Sequence, residues 1–369
     1  MMTTPALHLG LENIAIAESK LSHVEGEKGE LIYCGYLAED LAKDHTFEDI
    51  AYLLWEGHLP SEAEAQAFRA ALVAERELPG YIKDIIRKLP ADLGDMAVLR
   101  TALSALPFTE PSWPPMIPQA RILLAKAPTI LGYWRCVRQG LPEREPRPDL
   151  GHAANYLYLL HGKTPDPSYA RILDVYWMLS ADHDMNASTF TARVVTSTQA
   201  DMISAVCAAI GALWGPLHGG APSHVDDMLD AIGTKENAEP WIRDRLSQGE
   251  RLMGFGHRVY RTYDPRGAAL KKVIQQFAKG NHLFELGLYV EEVAVRLLAE
   301  YKPDRELYPN LDFWAAAVLR TLQIPRELYT PTFCLSRIGG WTAQIMEQSA
   351  HNRLIRPTCI YVGPEPKRI

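Results

Sequence analysis

Residues 253–267, MGFGHRVYRTYDPRG, hold three glycines, one histidine and three arginines in fifteen positions. Such a segment is a shaped loop, and Asp264-Pro265 interrupts any helix running through it. Glycine lets backbone N–H groups come close to a ligand, and the forked guanidinium groups of Arg258, Arg261 and Arg266 match carboxylate or phosphate oxygens. With His257 as a fourth positive group when protonated, the stretch reads as a site for an anionic small molecule.

On either side of the loop, apolar residues recur with helical period. Downstream, 268–278, 283–299 and 312–322 read as helices, and upstream 223–232 and 241–246 do. Residues 199–213 are small and apolar nearly all round, the mark of a buried helix that neighbours approach closely. Further helical patterns cover 96–106, 118–134 and 167–179, separated by proline-rich connections at 107–118 and 142–148, for which a PxxP recognition element is the other reading. Thr46 followed by Asp49 resembles a capping box ahead of the apolar stripe Ile50, Leu53, Leu54, which Gly57 and Pro60 close, and Ser61 caps the next helix. Residues 13–17 and 30–34, around the turn-rich 25–29, look like strands of a small N-terminal hairpin. The fold class is therefore all-α, with almost no sheet. Charged helices after Gly219-Gly220 set 219–325 apart from 1–218 and 326–369, so we expect two helical lobes.

With 47% hydrophobic residues among 369, the chain can bury a sizeable core. A net charge of −7 and a pI near 6.0 give no electrostatic ground for a nucleic-acid or anionic-membrane partner, so an anionic ligand needs a local basic cluster. Cys34, Cys136, Cys207, Cys334 and Cys359 are odd in number and contain no C-x-x-C pair, which fits a reducing cytoplasm and argues against a disulfide framework or zinc site. No window approaches membrane-spanning length and no signal-like segment opens the chain, so a cytoplasmic protein is expected.

Further islands carry polar groups: ADHDMN at 181–186, GPLHGG at 215–220, YPNLD at 308–312, and Arg337 and Arg356 near the C-terminus. Each has two readings. His183 is a hydrogen-bonded histidine at a helix start or a ligand contact, His218 a satisfied turn residue or a site residue beside two glycines, and Asp312 a helix N-cap or a base. Arg337 and Arg356 are ordinary ion-pair residues or anion ligands.

Taken together, the islands resemble the citrate synthase family. The wording G-F-G-H-R-V-Y-x-x-x-D-P-R at 254–266, G-x-L-x-Y-x-G-Y at 29–36 and the run ending Gly57-His58-Leu59-Pro60 look like its motifs, and the islands follow its order and approximate spacing along almost the full chain. The resemblance implies a two-domain helical enzyme in which the smaller domain, inserted in the larger, closes over the substrates. It implies condensation of acetyl-CoA with oxaloacetate and hydrolysis of the citryl thioester. Asp312 would be the base, His218 the donor to the enol or enolate oxygen, and His257 the group polarising the ketone. His183, His257, Arg266, Arg337 and Arg356 would hold oxaloacetate, with Arg356 reaching the neighbouring subunit's site, so a homodimer is implied and 199–213 would lie near its interface. Leu252, Met253, Gly254, Phe255, Gly256 and Arg261 are the CoA candidates. No metal or cofactor is implied, because CoA enters as a substrate.

The near alternative is 2-methylcitrate synthase, which uses propionyl-CoA, since hydrophobic pockets discriminate one methylene only about 10–200-fold. The distant alternative is a non-catalytic regulator that binds acyl-CoA or a dicarboxylate. Several positions depart from the common family wording: Cys34 stands for arginine, Ser180 and Gln344 for histidine, Pro222-Ser223 for Asn-Glu, and Thr358 for a basic residue. Ser180 and Gln344 are expected to alter the groups behind the site, and Thr358 to weaken CoA or carboxylate contacts.

Overall fold

A computed structural model describes residues 6–12, 14–107, 112–257, 259–277 and 282–365. Its sheet is small and antiparallel: β1 (Ser22–Glu25) pairs with β2 (Glu30–Tyr33), and β2 with β3 (Tyr36–Leu37). The hairpin is where 25–29 puts it, but its first strand is not 13–17. Asn13 lies outside the described residues, and 14–17 are unpaired and mostly exposed. Ser22 and Val24 are buried while His23 faces out, so the strand that forms is the one whose alternation the core can use.

The rest is helical. In chain order come α1 (Ala38–Asp44), α2 (Phe47–Glu56), α3 (Glu62–Ala74), α4 (Gly80–Arg87), α5 (Asp95–Ser104), α6 (Ile117–Gln139), α7 (His152–His161) and α8 (Pro167–Ser180). They continue with α9 (Ala187–Ser197), α10 (Met202–Leu213), α11 (Ala221–Ile232), α12 (Lys235–Ser247), α13 (Pro265–Phe277), α14 (His282–Tyr301), α15 (Leu311–Thr321) and α16 (Tyr329–Ala350).

Capping fixes the ends. Thr46 and Asp49 exchange hydrogen bonds as a capping box at α2, and Ser61 and Glu64 do so at α3. The helix expected over 199–213 starts later, because Asp201 accepts the Ser204 N–H and caps α10, while Gln199 sits at φ +66° in the link from α9. Helix α13 begins at Pro265 rather than after it. Asp264 accepts the Arg266 N–H on its carboxylate and the Ala268 N–H on its carbonyl, and proline fits the first turn, where an N–H would go unused. A cap is worth about 1 kcal/mol, whereas full burial of a side chain such as Leu335 or Ile338 contributes about 1.5–3 kcal/mol. Packing therefore decides which helices exist, and caps decide where they stop.

The packing centre is α16, which touches α2, α5, α6, α8, α9, α10 and α11 and buries Trp341, Ile338 and Ile345 completely. Helices α11 to α15 pack largely on one another, α12 against α14 and both α11 and α13 against α15, while α13 and α15 also rest on α8. The turn after α8, the loop before α13 and the start of α15 consequently meet.

Candidate active site

Two backbone links join the loop to the 308–312 island. Gly256 N–H donates to Tyr308 O at 2.8 Å, and Asn310 N–H donates to Gly254 O at 2.9 Å. The Asn310 side-chain amide adds a bond to Gly256 O at 2.9 Å. These bonds occupy backbone groups that the sequence offers to a ligand, so the glycines serve packing as well: Gly254 has φ +81° and lies where a Cβ would come within 2.9 Å of Phe313 and Val225. Of the CoA candidates, Leu252 and Gly254 are buried, Phe255 packs on Phe313 with ring centres 5.1 Å apart, and Gly256 is half-buried, whereas Met253 and Arg261 are exposed. Arg258 lies outside the described residues.

Asn310, not Asp312, caps α15, its side chain accepting the N–H groups of Asp312 and Phe313 at 3.0 and 3.4 Å. The Asp312 carboxylate is thereby free of structural duty and has no hydrogen-bond partner among the described residues. Burial raises its pKa to about 6, with Asp264 adding to the rise and Arg266 and Arg337 opposing it.

Arg266 is buried and held by Asp264 in a two-point pair, Nε to Oδ1 at 3.0 Å and Nη2 to Oδ2 at 2.8 Å. Burial, the largest single influence, would raise the Asp264 carboxyl, but the Arg266 charge and hydrogen bonds together with His257 and the Leu311 N–H outweigh it and hold that group below its ordinary value. Sequence reading took Asp264 for a helix breaker. Its place two residues before an arginine was the signal of a partner.

His257 Nδ1 accepts the N–H groups of Val259 and Tyr260 at 3.0 and 3.1 Å, so the neutral ring carries its proton on Nε2. Nε2 lies 3.4 Å from Arg266 Nη2. Both are donors, so this is a contact rather than a bond, and the Nε2–H remains free for an acceptor on a ligand. Burial, then Arg266, lowers the His257 pKa to about 4 and keeps the ring neutral.

His183 follows the turn after α8, its ring centre 5.5 Å from that of His257, and its Nε2 is buried without a partner. Burial followed by Arg266, Arg337 and His257 holds its pKa well below the ordinary value. Arg337, 3% exposed on α16, donates from Nε to Ser180 O at 2.6 Å, and its Nη1 is buried with no partner. The Arg337 charge is felt at His183, His218 and Asp312.

His218 Nε2 lies 2.8 Å from Ser188 Oγ, which also receives Trp341 Nε1–H at 3.1 Å and lies 2.8 Å from Asn186 Oδ1. Asn186 Oδ1 accepts both the Ser188 hydroxyl and the Thr189 N–H, the latter at 3.1 Å, so in this arrangement the serine oxygen faces His218 Nε2 as an acceptor; the other hydroxyl rotamer, which gives the single Ser188 proton to Nε2, leaves Nδ1–H as the ring's donor. Burial, then Arg337, lowers the His218 pKa to about 4. Sequence reading missed Ser188 and Trp341, whose partners are remote along the chain.

Behind these groups Gln344 Nε2 donates to Asp182 Oδ2 at 2.7 Å while Arg193 Nε donates to Gln344 Oε1 at 2.7 Å, and Ser180 Oγ lies 3.0 Å from Ser336 Oγ. The departures at Ser180 and Gln344 thus sit behind the site. Arg356 is not gathered with the rest: it lies exposed in the segment after α16, as does Thr358. Among the described residues no group of three or more His, Cys, Asp or Glu side chains could hold a metal ion. No helix among them is long and apolar enough to cross a membrane.

A site of neutral imidazoles, buried guanidinium groups and a carboxylate can bind a small dicarboxylate and move a proton beside it. The chain is similar to known proteins along nearly its whole length. A family profile described as citrate synthase, C-terminal domain, matches residues 10–358. The chain is 41% identical to a citrate synthase of Haloferax volcanii over 97% of this chain and 96% of the relative. It is 38% identical to a 2-methylcitrate synthase of Shewanella oneidensis over 98% and 96%. A solved citrate synthase from the thermophilic archaeon Thermoplasma acidophilum, in ternary complex with carboxymethyl coenzyme A and oxaloacetate, superposes with a TM-score of 0.89 at 30% identity, covering 99% of this chain and 98% of the other. With the two-domain helical fold, the gathered histidines and a match along nearly its whole length, this chain belongs to the citrate synthase family.

Proposed function

We propose that the enzyme condenses acetyl-CoA with oxaloacetate and hydrolyses the resulting thioester to citrate and CoA. The observation that carries this reading is the buried, unpartnered Nη1 of Arg337 beside Arg266 and three neutral imidazoles, a setting that calls for an anion with a polarisable carbonyl. Arg266 and Arg337 hold the two carboxylates, with His183 a further contact. His257 Nε2–H donates to the ketone oxygen and makes its carbon more electrophilic.

Asp312 takes a proton from the acyl methyl group as His218 Nδ1–H donates to the thioester oxygen, giving a neutral or partly charged enol. Its carbon then attacks the ketone, the new oxyanion is stabilised by His257, and water cleaves the thioester. Residues 219–325 form the smaller domain, which closes after oxaloacetate binds and keeps water from the enol. CoA lies along the exposed Met253 and Arg261. Arg356 completes the site of a second copy, which makes the dimer the working unit. The five cysteines stand free, in keeping with a cytoplasmic setting.

The test is the initial rate of CoA thiol release with oxaloacetate, acetyl-CoA against propionyl-CoA. Higher kcat/KM with acetyl-CoA is the expected result. Preference for propionyl-CoA would transfer the reading to 2-methylcitrate synthesis, the activity named for the Shewanella oneidensis relative, and no oxaloacetate-dependent release with either would reject both.

A further inference from the structure

We propose that the turn joining β1 and β2 is a latch on the substrate loop: it grips the two residues flanking Tyr260 and so fixes the ring against which His183, His257 and Arg266 are packed. The proposal rests on the oxaloacetate site described above.

Three observations carry it. First, the turn and the loop meet backbone to backbone. Arg261 N–H donates to Gly26 O at 3.0 Å, and a Cβ on Gly26 would lie 2.5 Å from Val259 O. A Cβ on Gly29, whose φ is +68°, would lie 2.7 Å from Thr262 Cγ2 and 2.9 Å from Tyr263 O. Real Cβ atoms do not tolerate such approaches, so only glycine permits this docking.

Second, the same hairpin is tied to the island of His183. Ser22 Oγ donates to Asp182 Oδ2 at 2.7 Å and accepts the Asp184 N–H at 2.9 Å, and Tyr33 OH donates to Asp182 O at 2.9 Å. One hairpin therefore spans two substrate-holding segments that lie far apart in the chain. Third, Tyr260 is 4% exposed, with its ring centre 4.6 Å from that of His257, 5.8 Å from that of His183 and 5.7 Å from the Arg266 guanidinium carbon. A ring so enclosed sets the spacing of its neighbours, and a shift of the backbone on either side moves it against all three.

The test compares Gly26→Ala with Gly35→Ala. Gly26 has no positive φ, so the alanine acts only by pushing on Val259. Gly35, in the β2–β3 turn, has φ +92° and nothing within 4 Å of its Cβ, so alanine there strains the same sheet without touching the loop. Oxaloacetate binding to the full-length protein is measured by calorimetry without CoA, together with KM for each substrate and the thermal midpoint.

Misplacing reacting groups by about 1 Å costs up to ~100-fold, so Gly26→Ala should raise the oxaloacetate Kd and KM about tenfold or more, with KM for acyl-CoA changed far less. Gly35→Ala should lower the thermal midpoint and leave the oxaloacetate Kd near that of the parent. Tyr260→Leu should reproduce the oxaloacetate defect if the ring is what the latch holds. A parent that binds oxaloacetate while Gly26→Ala binds it equally well overturns the latch alone. Losses in both glycine variants that merely track thermal midpoint overturn it too. A parent that binds no oxaloacetate overturns the substrate reading, and the latch with it.

Discussion

Replacing Asp312 by asparagine should separate catalysis from stability. In the folded protein burial lifts this carboxyl from its ordinary 3.8 to about 6, which is worth about 3 kcal/mol against the ionised form. The native state therefore binds the proton more tightly than the unfolded chain does between pH 4 and 6. Over that window the Asp312 contribution to stability falls as pH rises, and at pH 7 the full penalty is present. Asp312→Asn, nearly isosteric and uncharged, should raise the unfolding free energy at pH 7 by about 2–3 kcal/mol, a gain that vanishes below about pH 4. His183, His218 and His257, whose depressed pKa values remove stability as pH falls below their unfolded values, act alike in parent and variant and cancel in the difference. Loss of a general base should lower kcat about 100- to 10,000-fold while oxaloacetate binding persists. Denaturant melts at pH 4 and pH 7, with stopped-assay kinetics, test both halves. Turnover within tenfold of the parent would remove Asp312 from the base role, and a variant less stable than the parent at pH 7 would refute the claim that its charge is held at a cost.

Three further outcomes are expected. The acidic limb of kcat/KM for the acyl-CoA should fall about tenfold per pH unit below about pH 6, the Asp312 value; a limb centred near pH 4 would assign it to His218 or His257 instead. Arg337→Lys keeps a charge but loses the fork, so the oxaloacetate KM should rise by about 10- to 150-fold, as loss of a charge-assisted bond of about 1.5–3 kcal/mol requires; an unchanged KM would take Arg337 out of carboxylate binding. Co-refolding Asp312→Asn with Arg356→Ala in equal amounts should recover about a quarter of parental activity if each site draws Arg356 from its neighbour, because only the mixed dimer then has an intact site. No recovery above the two variants measured apart would show that Arg356 does not cross between subunits.

Much of this site is legible in the chain because its partners are close in sequence. His257, Asp264 and Arg266 lie within ten residues, and the capping residues of α2, α3 and α15 sit three positions or fewer from what they cap. Groups whose partners are remote are not legible that way. Ser188 matters through His218 and Trp341, and Gln344 through Asp182 and Arg193, pairs that only tertiary packing brings together. Helix α9, ASTFTARVVTS, went unread because threonine and valine favour strands locally, and burial of Ala192, Arg193 and Thr196 against α10 and α16 overrides that preference. Asp264 was misjudged for a different reason: proline after it ends helices from within but opens them at the first turn.

Helix α16 has one more implication. Arg337, Trp341, Gln344 and Gln348 recur at spacings of four, three and four, so they form one stripe on a rigid rod. The buried guanidinium of Arg337, the prop under a histidine and the brace on Asp182 are therefore graduations of a single ruler, about 1.5 Å per residue. Adding or deleting one residue between 337 and 344 would swing the distal marks by about 100° and misregister all of them at once. Changes of substrate in such an architecture have to be made in the loops that face the rod, since the rod itself admits no adjustment of length.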